Sequence, residues 1–228
     1  MTIKELKVAC FLYERFTDYD RSYKKLWELE ELNLTIRDHT IRLIQWLRGW
    51  GCRQFKNEND EMSIQNIMSW HSSYSIDLPA YDLYLLDSNE NILNKTARIF
   101  DTLSNTKISE RQQNDRKIDV SVGPVGTAKI LFALRPKFFS PWDKPICEKK
   151  QYQFNGISYI KYLNDIKETL TELEIECRKN GFEINELPLK INRNISTLPK
   201  IIDEFNWVTI TRNCDPLEIL KISSTEIK

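Results

Sequence analysis

The sequence predicts a mainly helical protein, all-α in class, with about eight to ten helices and at most one short β element. Three observations predict it. The 228 residues include only six glycines and eight prolines, too few for the frequent turns of a sandwich or barrel. Apolar residues recur at steps of three and four along most of the chain. Those runs are bounded by helix punctuation: Gly51 and Asn180-Gly181 as stops, Pro199 in a first turn. At 41% apolar, the chain can bury a substantial core, and we read residues 1–228 as one helical domain. Two lobes are compatible with it, 1–104 and 118–180, with 181–228 packing back.

The opening stretch MTIKELKVACFLYERF weaves acids and bases through apolar positions, which predicts an amphipathic helix and excludes a signal peptide. Residues 36–50 place Ile36, Leu43, Ile44, Leu47 and Trp50 on one stripe, and Gly51 stops that helix. Ser63 is expected to cap the next, with Ile64, Ile67, Met68 and His71 on its apolar face. A Ser-Asn-Glu start predicts a helix over 88–104, carrying Ile92, Leu93, Ala97 and Phe100. The polar run NTKISERQQNDRK at 105–117 reads as a surface connection or exposed helical turn, and as the one plausible domain boundary. A helix follows over about 127–134 and stops at Arg135-Pro136. The longest helix is expected over about 157–179, on Ile160, Leu163, Ile166, Leu170, Leu173 and Cys177. The last clear one starts at Ser196 or Thr197 and buries Ile201, Ile202 and Phe205. Residues 182–192 and 207–212 are β-prone but short.

Composition narrows function. Lys+Arg and Asp+Glu are both 33, so the chain lacks the bulk basic field of many nucleic-acid binders, and any such binding needs a local patch. Five scattered cysteines form no CxxC, and with only His39 and His71 no zinc-like spacing arises, so neither a metal nor another cofactor is expected. Reduced, buried thiols and the lack of a membrane-length apolar run predict a cytoplasmic protein. Without secretion, the N-x-S/T triplets at Asn33, Asn94 and Asn194 carry no weight.

The most informative segment is VGPVGTAKILFALRPKFFSPWDKPI, residues 122–146. Two of the six glycines lie three apart around a proline, directly before a helix. A turn of that kind leaves backbone N–H groups free at a helix start, where they can seat a phosphate. Thr127 can cap the helix, and Lys129 lies in its first turn. Asp143 then heads the next helix, where it can serve as an N-cap, as a catalytic carboxylate, or as both.

Hairpin, helix, Pro-containing loop and Asp resemble the helix-hairpin-helix signature of base-excision DNA glycosylases, the group that includes endonuclease III and the 8-oxoguanine glycosylases. The matching residues are Val122-Gly123-Pro124-Val125-Gly126, Thr127-Ala128-Lys129-Ile130-Leu131 and Pro141-Trp142-Asp143, within a segment of about 25 residues. The resemblance implies duplex DNA as partner, with Gly123, Val125, Gly126 and Thr127 gripping one backbone phosphate. It implies a base rotated out of the stack and an N-glycosidic bond cleaved beside Asp143. Lys129 is the candidate amine nucleophile of a lyase step, one residue beyond the family's lysine position, which is Ala128 here. Pro124 stands where the family has a glycine, and the iron–sulfur cysteines are missing. Trp142 is a candidate to stack on the flipped base, against a core role; Arg48, Arg53 and Gln54 are candidates for a DNA-contacting rim, against a solvated turn. A monomer is expected. Two rival readings stand beside this one: a nucleic-acid-binding module without chemistry, and a helical interaction protein in which GPVG is only a turn.

Overall fold

A computed structural model describes residues 1–29, 31–55 and 60–225. It is mainly helical, with eleven α-helices and a single two-stranded sheet among the described residues. The N-terminal half comprises α1 (Ile3–Phe16), α2 (Tyr19–Trp27), α3 (Arg37–Gly49), α4 (Asp60–Tyr74) and α5 (Glu90–Ser104). The hairpin β1 (Lys107–Gln113) and β2 (Arg116–Ser121) leads into α6 (Gly123–Leu134). Then come α7 (Lys144–Lys150), α8 (Gly156–Lys179), α9 (Leu187–Lys190), α10 (Leu198–Asn206) and α11 (Pro216–Thr225). Among the described residues no helix is long and apolar enough to cross a membrane, and no group of three metal-ligating side chains forms.

Local chemistry accounts for most boundaries. Thr2 and Glu5 form a reciprocal capping box on α1. Asn89 accepts from the Ile92 amide to start α5, and Asn155 accepts from the Ser158 amide to start α8. Gly181, at φ +78°, ends α8 in the left-handed region that a side chain would resist. One continuous core draws on α1 through α10, with α6 almost wholly enclosed at its centre.

Four expectations are corrected. Ser63 is not a cap: α4 begins at Asp60, and the buried Ser63 hydroxyl donates to Ile108 O at 2.8 Å. Residues 105–117 are not a connection or helical turn, because most of them form the β-hairpin, docked on α4 by Asn66 Nδ2 donating to Lys107 O at 2.8 Å. Asn114 and Asp115 turn the hairpin with φ of +47° and +59°, the paired positive values that match strand twist. From Arg111 to Asp119 both faces meet solvent, so no apolar alternation exists to announce a strand. The β-prone run 182–192 is instead a 3₁₀ turn (Ile184–Glu186) running into α9, set by a Glu183/Glu186 capping box and Pro188 in the first turn. Finally, 207–211 is a π-turn extending α10, with Trp207 edge-on to Tyr13 at 5.4 Å and Val208 buried. Neither run finds a strand to pair with among the described residues.

Helices α5 and α8 pack closely at Gly156. A Cβ at Gly156 would lie 2.2 Å from the backbone oxygen of Ala97, and the Gly156 amide donates to Asp101 Oδ1 at 2.7 Å. Gly156→Ala is therefore expected to push the helices apart and lower stability by about 1–3 kcal/mol, read as a lower urea midpoint.

Candidate active site

The segment 122–146 is assembled differently from a helix-hairpin-helix. Val122 follows β2, and Gly123-Pro124-Val125-Gly126 is the first turn of α6, with Gly123 at φ +69° making the corner. The unit is strand–turn–helix. Gly126 is bare for packing: a Cβ there would meet Gln54 Nε2 at 2.8 Å and Val122 Cγ1 at 3.2 Å. Gln54 spends its amide on Val122 O at 2.7 Å, so it braces α6 from below and is not free to fill a gap in DNA. Thr127 is no cap; it is fully buried, and its hydroxyl is left without a partner.

After α6 the chain is pinned as it crosses to α7. The Tyr159 and Tyr162 hydroxyls donate to Ser140 O at 2.8 Å and Pro141 O at 3.0 Å, and the Trp142 indole donates to Pro124 O at 3.2 Å. Trp142 is completely buried among Phe100, Tyr159 and Tyr162, so it anchors the loop and cannot stack on a base. These bonds fix where Asp143 emerges. Asp143 occupies the N-cap position of α7, yet its side chain makes no capping bond. It turns instead to Lys129, with Oδ1 3.2 Å from Nζ.

Lys129 reaches that point from the interior of α6. Its side chain is 8% exposed, its ammonium donates to Trp50 O at the end of α3 (2.8 Å), and it lies 5.8 Å from the Trp50 ring. Burial, the largest single influence, favours the neutral amine, but Asp143, Cys52 and Asp203 together outweigh it and hold Lys129 above the ordinary lysine range. An amine kept charged is a poor nucleophile, which tells against the lyase role that the resemblance implied for it.

Lys129 and Asp143 open onto a cleft of about 290 Å³. Tyr13, Tyr19, Trp50 and Trp207 supply aromatic walls, Gly51, Val125 and Pro141 complete the sides, Lys144 and Pro145 lie with Asp143, and Asp203 of α10 also lines it. A hollow of about 440 Å³ between α2 and α3 is larger, but the side chains at its rim, Lys25, Glu28, Arg42 and Gln45, are solvent-exposed, and it contains none of the residues singled out by the sequence. The smaller cleft is where rigidly placed, partly desolvated charges meet aromatic surface, and we take it as the site.

Of the other sequence candidates, Gly123, Val125 and Gly126 lie in the α6 first turn, and only Val125 of these lines the cleft. Arg48 is engaged elsewhere, donating to Phe55 O at 2.7 Å and pairing with Asp60. Arg53 is exposed in the turn after α3.

Sequence reasoning missed the charges beneath the cleft. On α10, Lys200, Asp203 and Glu204 are all buried. Glu204 accepts from Arg193 at 2.6 Å and from Lys200 and Ser196 at 3.1 Å each, and Arg193 also pairs with Asp20 at 2.6 Å and Glu14 at 2.5 Å. Lys200 lies over the Tyr13 ring at 4.1 Å. Lys-x-x-Asp-Glu on a helix has the same spacing as a solvated ion-pair face, so no local signal marks it as interior.

No family model matches the chain, and no curated protein or solved structure is significantly similar to it.

Proposed function

We propose that the cleft receives one nucleobase turned out of a nucleic-acid duplex and that Asp143 supports hydrolysis of its N-glycosidic bond. The observation that carries this reading is the Lys129–Asp143 pair, 3.2 Å apart, at an aromatic cleft of about 290 Å³. That volume lies at the small end of ligand sites and suits a single planar base between rings. As the bond to the base breaks, positive charge grows on the sugar. A carboxylate held still beside it stabilises that charge and orients a water for attack. Lys129 serves as the positioning cation, and the reaction is hydrolysis without a lyase step.

The test is base release and strand cleavage on duplexes carrying uracil, 8-oxoguanine, alkylated bases or mismatches. Asp143→Asn is expected to lower the rate about 10²–10³-fold with duplex affinity little changed. Borohydride is expected to trap no covalent adduct. A wild-type protein that binds duplex but releases no base would be a binding module; one that neither binds nor cleaves would end the nucleic-acid reading.

A further inference from the structure

The cleft contains a second carboxyl group. Asp203 and Asp143 line the same cavity from different elements, α10 and the head of α7. They lie at different depths: the Asp143 side chain is 29% exposed, that of Asp203 8%. A nucleotide entering base-first would set its base toward the buried carboxyl and leave its sugar at the mouth, beside Asp143.

Two carboxyl groups flanking a scissile glycosidic bond divide their work when their environments differ. Here α10 creates the difference. Lys200 lies 3.1 Å from Glu204 and 3.6 Å from Asp203, and Arg193 and Ser196 also bond Glu204. Glu204 takes the closer cation contacts, and for Asp203 burial outweighs the longer contact to Lys200. We propose that Asp203 is the general acid of the cleft, protonating the departing base while Asp143 takes the proton of the attacking water. This rests on the base-excision reading above.

The step balances. The C1′–N bond breaks with its electron pair going to the base, and the Asp203 carboxylic acid transfers its proton to that base. Water adds its oxygen to C1′ and gives a proton to Asp143. Neutral base and a sugar C1′ hydroxyl leave, and one proton returns through solvent from Asp143 to Asp203.

The charge environment agrees. Burial, with Asp143 and Glu204 adding to it against Lys200 and Lys129, raises Asp203 to about 7, so that it is a donor at neutral pH. The other titratable groups facing it are Tyr13 from α1 and Tyr159 and Tyr162 from α8; burial pushes all three hydroxyls upward, so they remain neutral.

The experiment pairs kinetics with direct titration. For wild type, single-turnover base release is expected to fall as pH rises through about 7. Asp203→Asn keeps the shape but cannot surrender the proton. It is expected to lose about 10²–10⁴-fold in rate and also to lose that alkaline decline, with Asp203→Glu restoring part of both. Infrared difference spectra of wild type against Asp203→Asn are expected to show a protonated carboxyl that ionises near neutral pH. A variant with wild-type rate and pH profile overturns the inference while Asp143 keeps its role. A carboxylate already ionised at about pH 5 overturns it too. A wild type that releases no base from any duplex removes the excision reading and the acid together.

Discussion

Lys200→Met is expected to cost about 3–5 kcal/mol of folding stability. Lys200 is fully buried, its ammonium held between Glu204, Asp203 and the faces of Tyr13 and Trp50 at 4.1 and 5.4 Å. Methionine matches its stem but leaves the wholly buried Glu204 with a charge countered only by Arg193. The cost is less the attraction lost than the carboxylate stranded in an apolar interior. Urea midpoints at unchanged slope would measure it. Adding Glu204→Gln to Lys200→Met is expected to return part of the loss, because the stranded charge is then removed. A Lys200→Met midpoint equal to wild type would show that the cluster is hydrated enough to dispense with its lysine.

Asp203→Asn is expected to stabilise the protein at neutral and alkaline pH, by roughly 4 kcal/mol once wild-type Asp203 is fully ionised. Folded, Asp203 holds its proton to about 7; an ordinary aspartate gives it up at 3.8. Between those values the folded chain carries more protons than the unfolded one, so wild-type stability falls as pH rises through the window. Below about pH 4 both states are protonated and the variant should show no advantage. Glu204 works in the opposite sense and lower down: Lys200 and Arg193 overcome its burial and hold it below the usual carboxylate range, so its contribution is lost only in acid. Lys200, whose burial is overcome by Glu204, Tyr13 and Asp203, is held high and acts only at the alkaline extreme. Urea midpoints for both proteins from about pH 4 to about pH 9 test this, and a difference independent of pH would mean that Asp203 ionises normally. A residue that lowers stability where it sits is what a functional carboxyl looks like thermodynamically.

Much of the fold was legible because helices announce themselves locally. The Ser-Asn-Glu start of α5, stops at Gly51 and Gly181, and the apolar stripes of α3, α5 and α8 depend on residues within one or two turns. The hairpin was not legible, since strand alternation requires one buried face and Arg111 to Asp119 have none. The runs at 182–192 and 207–212 misled for the reverse reason: β-branched and aromatic side chains fit a half-buried surface of any kind, and here helical turns supply it.

The candidate site divides along the same line. The sequence by itself determined the mainly helical class, the apolar stripes of α3, α5 and α8, and the nomination of Lys129 and Asp143 from one stretch of chain. Only the tertiary structure decided that these two meet, that Trp142 faces the core, and that Lys200, Asp203 and Glu204 lie inside. Periodicity fixes which residues share a helix face. Whether that face meets water or another helix depends on segments far along the chain, and α10 is enclosed by α1, α8 and the π-turn after it. The same five letters, Lys-Ile-Ile-Asp-Glu, describe a solvated surface or a buried charge cluster, and the difference is the desolvation that distant neighbours impose.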